Sequence, residues 1–363
     1  MYFIMKERDT YIDFLRTIGL LLLIVAHTSP PKWVFILRSF DVPLMVFISG
    51  ICWHLPPRSS HISRSKHHSL GDDCGDYTKG GMGGYIAINQ FIIYCKKRII
   101  RIYKPVFIFL SLYFCLELLF HILINTDITS FPNIIGSFML LNSPSIGYVW
   151  IMRVFILMAI LSPLYYRIAS STSSTRFILI VCILLITQQL MIYGINRWSD
   201  NWIRYILNLI IPYAFGYGII NSIGMKAKHF TRKNLFLLSF GVLLTAIFSM
   251  IISKSCYLAL PINKYPPNIL FLCYGIIMCS ILWLSRPLLQ QFSNYRWIQF
   301  VSKNSIWIYL WHIIGVNMLY YCPLISRYWL CRYLFVLTTA ICLTILYKYI
   351  LSKFNNSKNM QKI

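Results

Sequence analysis

Apolar residues run in long blocks along this chain, and polar residues gather between them. Ten blocks are long enough for a bilayer-crossing helix, which takes about 20 residues. They cover residues 10–28, 34–55, 103–124, 147–167, 176–195, 203–221, 234–252, 267–285, 297–320 and 330–350. The connections are short except for residues 56–96, a Gly-, Ser- and His-rich stretch that reads as a polar loop. No internal repeat is visible, and nothing outside the blocks is large enough for a second domain. The pattern predicts an all-α polytopic membrane protein of about ten transmembrane helices, built as one domain over 1–363. The first block follows Lys6 and Arg8 as a signal peptide does. No A-x-A site comes after it, and Asp13 and Arg16 interrupt the approach, so it reads as a spanning helix.

Composition agrees. Of 363 residues, 58% are hydrophobic and 12% charged, and the mean hydropathy is +0.63. These values exclude a disordered chain and an ordinary soluble domain. Eleven Cys without a CxxC pair argue against a disulfide scaffold. Lys and Arg number 34 against 10 Asp and Glu, a net charge of +24. In a soluble protein that excess points to nucleic acid; here it sits between apolar blocks and sets orientation instead. Most of it falls on one side, which includes Lys6, Arg8, the loop through Lys104, the Lys226–Lys233 connection and the C-terminal tail. Both termini are therefore expected in the cytoplasm, with no nucleic-acid partner.

Ionisable residues inside spanning segments are costly and become functional candidates. Arg16 and His27 are eleven residues apart; at 100° per residue they share a face, separated by roughly 16 Å of rise. Arg16 snorkelling to the inner headgroups, with His27 at the outer interface, is an equally simple reading. Asp13 lies one turn from Arg16 and is placed to hold its guanidinium. Arg98 and Arg101 share a helical face, which suits a phosphorylated ligand or, more simply, anionic lipid. His312 sits deep in the ninth block, three residues after Tyr309, at the same level as His27. Asp41 and Glu117 are candidates to orient an imidazole or plain structural partners. His61, His67, His68, Asp72, Asp73, Cys74 and Asp76 show no zinc-type spacing, so their segment reads as a solvated linker and no metal is expected. The run Gly80–Gly84 lacks the Lys-Ser/Thr of a phosphate loop and reads as flexible.

Several stretches together resemble one family. They are Asp13 through His27 with its R-x10-H spacing, Val42-Pro-Leu-Met-Val-Phe-Ile-Ser-Gly50 and Arg98-x-x-Arg101-Ile-Tyr. Further along come Tyr148-Val-Trp150 leading to Ser162-Pro-Leu164, then Lys264-Tyr-Pro-Pro267 and Tyr309-Leu-Trp-His312. In this order, over nearly the whole chain, they resemble the bacterial membrane-bound acyltransferase 3 family. The likeness is nearest to members that O-acetylate surface polysaccharide precursors, such as the enterobacterial common antigen O-acetyltransferase. Val42-Pro-Leu-Met45 departs from the pattern, since many members carry an acidic residue and paired phenylalanines there.

The resemblance implies a ten-helix enzyme of the bacterial inner membrane. It takes an acyl group, usually acetyl, from cytoplasmic acyl-CoA as co-substrate, with no permanently bound cofactor. The acceptor is a hydroxyl on a surface polysaccharide or its lipid-linked precursor. By motif position His27 is the catalytic histidine, Arg16 its basic partner, and Arg98 and Arg101 the acyl-CoA-side arginines. Asp13, Asp41, Glu117, Tyr309 and His312 are the supporting candidates, with Tyr309 and His312 as donors to the tetrahedral oxyanion. A translocase for polysaccharide or lipid-linked sugar is the alternative; it needs neither the arginine elements nor an isolated His27. A purely structural membrane partner leaves Asp13, Arg16 and His27 without a purpose.

Overall fold

The computed structural model describes residues 9–53, 81–253 and 264–360. Helices account for the regular structure among them, as lipid requires: a helix satisfies its own backbone groups. In chain order they are α1 (Thr10–Val25), α2 (Lys32–Leu37), α3 (Asp41–Ile51), α4 (Gly81–Ile124), α5 (Phe131–Phe138), α6 (Trp150–Ser171), α7 (Ser174–Asn196) and α8 (Asn201–Lys226). There follow α9 (Arg232–Ser253), α10 (Ile269–Leu284), α11 (Arg286–Leu289), α12 (Arg296–Lys303), α13 (Ser305–Met318), α14 (Pro323–Ser326) and α15 (Trp329–Met360).

Every predicted block contains a helix, but several boundaries moved for physical reasons. Among the described residues seven helical segments are long and apolar enough to cross a membrane, or eight with the bent pair 269–284 and 286–294. The first block stops at Val25, ahead of Pro30 and Pro31, which lack the N–H that would continue it. The second is broken: a 3-10 turn, Arg38–Phe40, joins α2 to α3, and Pro43 sits in the first turn of α3, where its missing donor is harmless. The ninth is split at Asn304 into α12 and α13. The expected loop 56–96 is corrected at its far end, where residues 81–96, including Gly81–Gly84, belong to α4. No Gly or Pro interrupts Tyr85–Lys104, so the helix propagates outward from its apolar span. Its 44 residues extend about 66 Å, roughly twice a bilayer core. The rest of that loop, with its His and Asp residues, lies outside the described residues.

The most apolar windows differ in burial. It is 67% for Lys32–Ile51 and 56% for Asn201–His229, against 11% for Phe91–Ile124 and 17% for Trp329–Lys353. α3 and α8 therefore form the interior, while α4 and α15 turn apolar side chains to the lipid. α1 packs between α3 on one side and α12 and α13 on the other. The α3–α8 crossing is backbone-close: a Cβ on Gly50 would overlap the Asn221 carbonyl, and one on Gly224 the Phe47 carbonyl. Small residues permit this approach where lipid supplies no hydrophobic drive between helices.

Gly50→Ala and Gly224→Ala should each lower the unfolding temperature of the detergent-solubilised protein by several degrees. Gly194→Ala, which has open space around its Cβ position, should leave it unchanged. Fluorescence-detected melting of the three variants checks this.

Candidate active site

α1 carries one end of the site. The Asp13 carboxylate is buried and lies 3.2 Å from the Arg16 guanidinium. The Ser302 hydroxyl, from the last turn of α12, donates to Asp13 at 2.7 Å and accepts from Arg16 at 3.0 Å. Arg16 also reaches the Cys52 sulfur at 3.7 Å. These bonds fix the guanidinium while leaving it partly exposed to a cavity of about 770 Å³, a size that encloses small-molecule ligands. Arg98 and Arg101 of α4, Lys303, Ser162 and Tyr309 line the same cavity. Four cationic side chains thus meet one internal space, and the helical break at Asn304 lets the α12–α13 junction border it.

The other end is a cluster of rings. His27, in the turn after α1, stands 5.2 Å from the ring of His312 and 4.8 Å from the ring of Tyr148, centroid to centroid. Tyr309, which lines the cavity, lies 4.9 Å from His312. Its hydroxyl donates to the Tyr148 carbonyl at 2.5 Å. His312 is fully buried, and its Nδ1 bonds the Tyr309 carbonyl. A carbonyl only accepts, so Nδ1 carries a proton. The other ring nitrogen, Nε2, is buried without a partner among the described residues.

Beside the rings lies a buried ion cluster. Asp41 receives Arg38 at 2.6 Å and Lys264 at 3.5 Å, together with the Val42 N–H at 2.7 Å. The Lys264 ammonium also sits over the rings of Trp150 and Tyr265. Burial lowers the pKa of Lys264, which lies in the turn before α10 and outside the spanning segments; Asp41 opposes that shift and Arg38 adds to it. The Asp41 carboxylate is thus given to two cations and not to an imidazole. Glu117 is placed as the structural reading had it: it accepts from the Thr129 N–H at 3.1 Å and hydroxyl at 2.6 Å, which ties the end of α4 to the loop after it.

The fold therefore brings Asp13, Arg16, Arg98, Arg101 and Tyr309 to one cavity, sets His27 and His312 ring to ring beyond it, and leaves Glu117 elsewhere. Hydropathy and motif reading missed Ser302 and the alliance of Arg38 with Lys264. The i, i+3 spacing of Arg38 and Asp41 was a usable signal; Lys264 stood out only as part of the Lys264–Pro267 landmark, and nothing local announces its pairing with Asp41 or that of Ser302 with Asp13.

Asp41→Asn strips the counter-charge from two buried cations. Such a loss costs about 3–5 kcal/mol, so the variant should unfold at a clearly lower temperature in detergent. Adding Lys264→Gln should recover part of the loss, as melting of the single and double variants will show.

Sequence comparison supplies the family. The model of the acyltransferase 3 family, described as an acyltransferase domain, matches residues 9–349. No curated protein and no solved structure gives a significant match. The family match takes in both ends of the cavity and the histidine pair, and on it the chain belongs to the acyltransferase 3 family and is a membrane acyltransferase.

Proposed function

We propose that this protein transfers an acyl group, acetyl in our reading, from cytoplasmic acyl-CoA to a hydroxyl of a surface polysaccharide or its lipid-linked precursor. Its place is the inner membrane of a bacterial cell, with both termini in the cytoplasm. The observation that carries the reading is the continuous cavity, cationic at Arg98, Arg101 and Arg16 and ending at Tyr309, one ring from the histidine pair. Guanidinium groups bind phosphates in pairs of parallel bonds, so the nucleotide end of acyl-CoA belongs at the arginines. Its pantetheine arm then runs along α1 and presents the thioester at Tyr309.

The chemistry follows from neutral His27. Its imidazole takes the proton of the acceptor hydroxyl as the oxygen forms a bond to the thioester carbonyl carbon. The tetrahedral intermediate collapses, the carbon–sulfur bond breaks, and the thiolate leaves with the proton held by His27. The products are an O-acyl ester and free CoA thiol. His312, with its ring beside that of His27, is a positioning residue in this scheme. Arg16 is kept in register by Asp13 and Ser302 and binds the donor.

The deciding experiment is NMR of O-acyl groups on the surface polysaccharide of the native host, with membrane levels of each variant checked. The deletion strain and His27→Ala should both lose the O-acyl signals while polymer export stays normal. Persistent acyl signals with polymer accumulating inside the cell overturn the reading in favour of a translocase. In purified protein His27→Ala should slow transfer by about 10²–10⁴-fold, the usual scale for losing a general base. Arg98→Ala and Arg101→Ala should raise KM for acyl-CoA about tenfold, one lost charge-assisted contact each, with kcat little changed.

A further inference from the structure

α1 borders two different spaces. Asp13, Arg16, Leu20 and Leu23 line the cationic cavity. Ile18, Leu21, Leu22 and Val25 line a second space of about 400 Å³. At 100° per residue these two sets point about 180° apart, so the helix is a wall with a ligand-sized space on each side. The second space is a groove on the flank of the bundle, closed by Phe40, Met278 and Tyr333 from three other elements. Apart from Arg38 its lining is aliphatic and aromatic.

Arg38 makes the groove more than a lipid-facing seam. Its side chain is 4% exposed, and its Nε has no hydrogen-bond partner among the described residues. It shares the Asp41 carboxylate with Lys264, which among the described residues leaves one of the two positive charges without a counter-charge in a low-dielectric setting. Lys32 and Trp33 are exposed on α2, the helix whose Val34 and Leu37 line the groove; such residues mark the headgroup level of a bilayer. The groove thus offers an apolar channel in the membrane with a buried cation at its side.

We propose that this groove is the acceptor site, and that its occupant is a sugar-bearing lipid phosphate whose apolar chain lies along α1 and whose phosphate faces Arg38. The proposal rests on the acyl-transfer reading for what the lipid carries. Donor and acceptor then approach from opposite faces of one helix and meet at the turn that bears His27. A boundary phospholipid is held by exposed, snorkelling cations; a buried guanidinium tied to the catalytic cluster suits a substrate headgroup.

The test uses the full chain in phosphatidylcholine nanodiscs with a diazirine-bearing polyprenyl monophosphate as the probe, read by peptide mapping after photolysis. Crosslinks should fall on residues 18–25 and 329–333, and unlabelled polyprenyl phosphate should compete them away. Leu22→Trp, which fills the groove, should cut the yield at least fivefold; Met278→Trp serves if that variant misfolds. The matching neutral polyprenol and a diazirine phosphatidylglycerol should each label at least fivefold less. Equal labelling by phosphatidylglycerol makes the groove a boundary-lipid site, equal labelling by polyprenol removes the role of Arg38, and labelling elsewhere removes the groove; each overturns the proposal. The readout involves no acyl transfer. Loss of the O-acyl signal in the deletion strain without crosslinks refutes the groove alone, and crosslinks with O-acyl signals that persist in the deletion strain refute the acyl-transfer reading alone.

Discussion

The Arg16 guanidinium sits inside a membrane-crossing bundle, and a charge there needs a counter-charge or a path to water. It has both. Asp13 and Ser302 hold one edge of it, and the rest faces the cavity. This contact ties α1 to the end of α12, and the arrangement of the site follows from it. With α1 pinned against α12 and α13, its outer turn carries His27 to His312. The break at Asn304, which brings Ser302 and Lys303 to the cavity, is part of the same arrangement.

The two polar centres differ in kind. Around Arg16 one carboxylate pairs the guanidinium while further cations line an open cavity, which suits a site that binds and releases an anionic donor. Around Asp41 two cations share one carboxylate in full burial. That imbalance is costly and sits beside the rings where the proposed transfer generates negative charge. The close α3–α8 packing allowed by Gly50 and Gly224 stiffens the helix that begins with Asp41.

Much of this was legible in the chain because lipid leaves so few structural choices. The ten apolar blocks each contain a helix, and Asp13 bonds Arg16 as their one-turn spacing suggested. Residues 81–96 were misread because the glycines at 80–84 and the polar stretch before them drew the boundary too late, although Tyr85–Tyr94 is mostly apolar. The breaks at 38–40 and Asn304 escaped because they are set by partners far along the chain, Lys264 for Asp41 and Asp13 for Ser302. Glu117 shows the reverse failure: its depth in a spanning block suggested chemistry, while the loop after α4 bends Thr129 back to claim it. His312 was found, but not its bond to the Tyr309 carbonyl one turn back.

The central claim is that the donor enters from the arginine end of the cavity, on the cytoplasmic face, and delivers its acyl group at the histidines near the opposite face. Sealed vesicles of defined orientation, given radiolabelled acetyl-CoA on the outside, test it most directly. The account predicts that inside-out vesicles place label on acceptor within the lumen while right-side-out vesicles do not. Equal labelling in both orientations, or labelling in right-side-out vesicles alone, would contradict it.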